Sequence, residues 1–145
     1  MSLKVELKPG ERLIVGNCVI TNSDQRTRLF IDGRAPILRE KDILTVETAN
    51  SPARRVYFAV QLMYLNDNVE ALRKDYFSLI NDIVRAAPST IGIVDQINND
   101  ILTGNLYKAL RAAKKLIQYE QDLLANAKSG GTRLSASGKE DDRPA

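Results

Sequence analysis

The sequence predicts an α+β protein: a small antiparallel β unit, then a helical unit of about four helices, then a tail. Two observations carry that prediction. Residues 3–48 alternate apolar and polar side chains between turn signals, and from Ser51 onward the apolar spacing becomes that of helices. A third is the change after Ala127 to Gly, Ser and charge, too apolar-poor to offset the entropy of ordering, so that 128–145 is expected to be disordered. The segments are therefore 1–50, 51–127 and 128–145.

Leu3, Val5 and Leu7 alternate with Lys4, Glu6 and Lys8, the period of a strand with one buried face. Pro9-Gly10 is a turn, since Pro presets φ and Gly accepts positive φ. Arg12-Leu13-Ile14-Val15, a Gly16-Asn17 turn and Cys18-Val19-Ile20-Thr21 follow. Asn22-Ser23-Asp24-Gln25 has loop chemistry. In residues 26–31, Thr27, Leu29 and Ile31 alternate with Arg26, Arg28 and Phe30. Asp32-Gly33 turns the chain and Ala35-Pro36 breaks it; Ile37-Leu38 and residues 43–46 complete the β region, with Leu38 inward and Ile37 and Arg39 outward.

Ser51 is a good N-cap and Pro52 suits a first helical position. Val56, Ala59, Val60, Met63 and Tyr64 recur at helical spacing until Asn66, and Phe58, Leu62 and Leu65 widen the stripe until most of that helix is buried. A second helix covers residues 69–86, with Leu72, Tyr76 or Phe77, Ile80, Ile83 and Val84 on its apolar face. A third runs from about Ile91 to Leu102 and stops at Gly104. The fourth starts near Asn105 and carries Leu106, Ala109, Leu110, Ala113, Leu116 and Ile117 towards Leu124.

Absences narrow the chemistry. With no His and one Cys, a Ser–His or Cys–His nucleophile and a thiolate metal cage are impossible, and no Gly-rich phosphate loop is present. A non-catalytic protein with no cofactor is expected. Cys18 fits a reducing cytoplasm and reads as a small buried hydrophobe within its strand. No apolar run reaches the ~20 residues of a membrane helix, so no membrane partner is expected. Net charge is +3, from 21 basic and 18 acidic residues, spread evenly over the three segments. Any anion-binding surface must therefore come from local placement of Lys and Arg.

Lys108, Arg111, Lys114 and Lys115 share one side of the last helix, able to track phosphates, although charge runs on helices are usually solvated faces. Arg54-Arg55 lies in the first turn of the first helix, against its dipole, a cost that a local acid such as Glu47 would offset. Most aromatic residues of the helices read as core.

Three segments of the β region carry a resemblance: Lys8-Pro9-Gly10-Glu11-Arg12-Leu13-Ile14-Val15-Gly16, Arg28-Leu29-Phe30-Ile31-Asp32-Gly33-Arg34-Ala35-Pro36, and Leu38-Arg39-Glu40-Lys41-Asp42-Ile43. They resemble the CsrA carbon-storage-regulator pattern, with Leu38 where that pattern has His and Leu7 where it has a basic residue. The resemblance implies RNA contacts by the edge strand at Val5, Leu7 and Lys8, and by Arg39. A fuller one rests on Leu7-Lys8-Pro9-Gly10-Glu11-Arg12, Val56-Tyr57-Phe58-Ala59-Val60-Gln61-Leu62-Met63-Tyr64 and Gly104-Asn105-Leu106-Tyr107-Lys108-Ala109-Leu110-Arg111. In order and spacing these resemble the FlbT family of flagellar biosynthesis regulators. That resemblance implies a cytoplasmic post-transcriptional regulator that binds the leader of flagellin mRNA and lowers its stability or translation. The candidate RNA-binding residues are then Lys8, Arg12, Arg28, Arg34 and Arg39, with Val5 and Leu7 on an edge strand and Lys108, Arg111 and Lys115 as a secondary basic face. The rival expectation is a chaperone whose helical grooves hold flagellin or another flagellar regulatory protein. A homodimer or larger assembly is expected, because so small a β unit buries little core and exposes strand edges.

Overall fold

The computed structural model of the chain describes residues 2–66 and 68–130. Strands β1 (Ser2–Leu7), β2 (Arg12–Val15), β3 (Cys18–Thr21), β4 (Thr27–Asp32) and β5 (Ile37–Arg39) come first. Helices α1 (Pro52–Asn66), α2 (Val69–Ala86), α3 (Ile91–Leu102) and α4 (Leu106–Gly130) follow, the α+β arrangement that the periodicity predicts. The predicted tail lies outside the described residues from 131 on, and α4 continues three residues past the predicted boundary at Ala127.

The first reversal of the chain is a turn of type II character: Gly10 has φ +75° behind Pro9, and the Glu11 N–H donates to the Lys8 carbonyl at 3.0 Å. The Glu11 carboxylate accepts from the Lys8 N–H at 2.8 Å, and the Asn22 side-chain amide donates to the carbonyls of Leu7, Lys8 and Gln25. Two small antiparallel sheets result, β1 with β4 and a second in the order β3-β2-β5. Between them Val5, Leu7 and Leu13 are fully buried, with Val15, Leu29, Ile31 and Ile37 packed around them. From the opposite face of the second sheet, Leu38 and Ile14 enter the helical core.

Both faces of β2 and β5 are thus covered, which corrects the outward placement of Ile37: it points to the β1–β4 layer while Leu38 points to the helices. Residues 43–46 are not a strand, because their backbone is held by side chains of α1 and by a local Thr45–Thr48 turn. Cys18 is exposed, not buried, since β3 is the edge of its sheet and all four of its residues are open to solvent.

α1 is buried through Ala53, Val56, Tyr57, Ala59, Val60, Gln61 and Met63, and packs between α2 and α4. On α2 it is Tyr76 that enters the core, its hydroxyl donating to Asn98 of α3 at 2.6 Å, while Phe77 is exposed. The Asn68 side chain caps α2, and α3 ends at Gly104, whose φ of +79° suits a residue without Cβ.

Ser51 caps α1 as predicted, and among the described residues Glu47 makes no ion pair with Arg54 or Arg55. Glu120 of α4 accepts from the Ser51 hydroxyl at 2.6 Å and from the Ala53 N–H at 3.0 Å, placing a carboxylate on the N-terminal end of the α1 dipole. Glu120→Ala should lower unfolding free energy by roughly 1–2 kcal/mol, the range for a lost helix cap. Chemical denaturation checks this, and an unchanged midpoint would show that water replaces the carboxylate.

Candidate functional site

Three polar side chains of α1 lie one turn apart on a single stripe: Tyr57, Gln61 and Tyr64. Set among apolar neighbours such as Val56, Val60 and Met63, they need partners, and each finds the backbone of residues 37–44. The Tyr57 hydroxyl donates to the Asp42 carbonyl at 2.6 Å. The buried Gln61 amide accepts from the Leu44 N–H and donates to the Leu44 carbonyl, both at 2.9 Å, as a neighbouring strand would. The Tyr64 hydroxyl accepts from the Ile37 N–H and donates to the Ile37 carbonyl, both at 3.1 Å. Burial, and secondarily the Asp42 charge, push the Tyr57 hydroxyl well above its ordinary pKa, so it stays protonated as a donor. Burial also raises Tyr64, against the lowering effect of its bond to Ile37.

This stitching fixes β5 and the 3₁₀ turn Glu40–Asp42 that follows it, and so places Arg39 and Lys41 on one wall of a cleft. The other wall is α4, where Tyr107, Arg111, Lys114, Lys115 and Gln118 recur at helical spacing on one face. The cleft has a volume of about 820 Å³, and Leu3, Ile37 and Leu38 contribute to its lining. Tyr64 and Tyr107 lie with ring centroids 5.8 Å apart inside it.

Its charge is one-sided. Five cations (Arg39, Lys41, Arg111, Lys114, Lys115) face one carboxylate, Asp42, a local +4 in a chain whose total is +3. Asp42 is taken by Lys114, and the other four cations have no ion-pair partner among the described residues. Guanidinium and ammonium donors beside tyrosine rings are the groups that engage phosphates and unpaired bases.

The cleft unites candidates that the sequence left apart: Arg39 of the β unit meets Arg111 and Lys115 of the secondary basic face, 72 or more residues later. Lys8, Arg12, Arg28, Arg34 and Lys108 are exposed and do not line it. Arg28 and Arg26 both pair with Glu6, at 3.5 and 3.6 Å. The side chains of Val5 and Leu7 are in the β core, leaving only their backbone for any ligand, because the inward face of β1 is the one they occupy. Lys41, Gln61, Tyr64 and Tyr107 were not singled out as site residues. Gln61 carried a signal, an amide in the middle of an apolar stripe. Lys41 carried none.

The sequence model of the family described as "Flagellar protein FlbT" matches residues 3–124. A "Probable flagellum biosynthesis repressor protein FlbT 1" of Bradyrhizobium diazoefficiens is 61% identical over 124 residues, covering 85% of each chain. A relative in Rhodopseudomonas palustris is 53% identical over 86% of this chain and 99% of its own. The "Flagellum biosynthesis repressor protein FlbT" of Caulobacter vibrioides is 34% identical over 95% of this chain and 98% of its own. No solved structure matches the chain. Among the described residues, no helix is long and apolar enough to cross a membrane.

Proposed function

The chain belongs to the FlbT family of flagellar proteins, and from that premise we propose that it represses flagellum biosynthesis after transcription, by binding the 5′ leader of flagellin mRNA in the cleft between β5 and α4. The names of its relatives support the repressor role. The observation that carries the RNA reading is the concentration of four cations, without ion-pair partners among the described residues, around exposed tyrosine in one concave site. The protein performs no chemistry on the message. Occupying the leader excludes the ribosome or leaves the message open to nucleases.

Fluorescence anisotropy with a flagellin-leader RNA and a scrambled control tests the reading. Four phosphate contacts on a single strand predict that log K falls with log salt at a slope of about −3. With no His in the chain, affinity should stay flat between about pH 6 and 8. Equal binding of leader and scrambled RNA, with salt-insensitive capture of flagellin, would replace this reading by that of a chaperone.

A further inference from the structure

The outer face of the β1–β4 pair carries a feature that the cleft does not use. Register places Lys4 opposite Phe30, Glu6 opposite Arg28 and Ser2 opposite Asp32 on that face. Phe30 is 65% exposed there, an aromatic ring where the alternation otherwise sets polar groups. The acids of the face are already engaged, Glu6 by Arg26 and Arg28, and Asp32 by the Ser2 hydroxyl. Lys4 has no ion-pair partner among the described residues.

We propose that Phe30 is a stacking platform for an unpaired base of the same single-stranded RNA whose neighbouring phosphates lie in the cleft, with Lys4 and Arg28 beside it to meet the backbone. The inference rests on the RNA reading of the cleft and extends its footprint. Two observations select nucleic acid as the occupant. The ring stands alone among cations and polar groups, which suits one base flanked by phosphates; an apolar protein partner needs a contiguous patch, and this face has none. The face also adjoins the cleft across an edge: Leu3, on the inner face of β1, lines the cleft, Lys4 stands on the outer face opposite Phe30, and the edge of β1 away from β4 is unpaired in its two-stranded sheet. A strand leaving the cleft past Leu3 reaches the ring by rounding that edge.

The test uses the full chain and single-stranded fragments of a flagellin leader from about 4 to 16 nucleotides, the usual span of single-strand sites. Phe30→Ala should bind the shortest oligomers like the parent and lose roughly 5- to 100-fold for those long enough to reach both places. Phe30→Trp should restore the loss, and a fluorescent base analogue in the long oligomer should be quenched by the parent and not by Phe30→Ala. Because Phe30 is exposed, the thermal midpoint should not move, which separates stacking from misfolding. Equal affinity of Phe30→Ala and the parent at every length overturns the platform and leaves the cleft reading standing. A parent protein that binds no oligomer of any length overturns both.

Discussion

Replacing Arg39 and Arg111 together with alanine should weaken binding of a flagellin-leader RNA by roughly 2–6 kcal/mol, about 1–3 for each guanidinium by analogy with Arg–base contacts. The two stand on opposite walls of the cleft, one on β5 and one on α4, so a ligand seated between them loses a contact on each side. Both are exposed, and neither has an ion-pair partner among the described residues, so each single change should shift stability by no more than ~0.5 kcal/mol. Lys8→Ala, outside the cleft, should cost far less. Anisotropy at two salt concentrations separates these contributions, since the double variant should also flatten the salt slope. A double variant with parental affinity would place the RNA elsewhere on the molecule.

The second large effect belongs to a residue that touches no ligand. Gln61→Leu keeps side-chain volume but removes both hydrogen bonds to Leu44, leaving a part-buried N–H and carbonyl without partners. At about 1–3 kcal/mol for each unsatisfied group, the expected loss is roughly 2–6 kcal/mol, measured by urea denaturation. The loss should carry over to binding, because Gln61 anchors the segment just after Arg39 and Lys41. RNA affinity of the folded fraction should fall while the salt slope of the residual binding remains. A change under ~0.5 kcal/mol would mean that water satisfies Leu44 as well as Gln61 does.

Those two residues also mark how far the sequence could be read. The helices were legible because their signals are local: Ser51 and Pro52 at one start, and Gly104 at an end that requires positive φ. The strands of β1 and β4 were legible because one face is buried and the other wet. β5 misled on Ile37 because a strand covered on both faces has no alternation to read. Residues 43–46 misled because their strand-like composition does not show that the Gln61 amide takes the Leu44 backbone and that Thr45 bonds Thr48 in a local turn. Cys18 misled because a strand's composition does not say that it is an edge. The cleft was illegible as a cleft: Arg39 and Arg111 were each visible as exposed cations, but only the docking of α4 on α1 sets them face to face.

That docking has a consequence for synthesis of the chain itself. Residues 39 and 111 of the cleft are separated by 72 positions, on the order of 4–14 s of ribosomal elongation. Glu120, which caps α1, emerges later still. A nascent chain thus displays its β unit with one bare cationic wall and no cleft. On the RNA reading proposed above, a two-walled site for the flagellin leader is complete only once α4 has emerged.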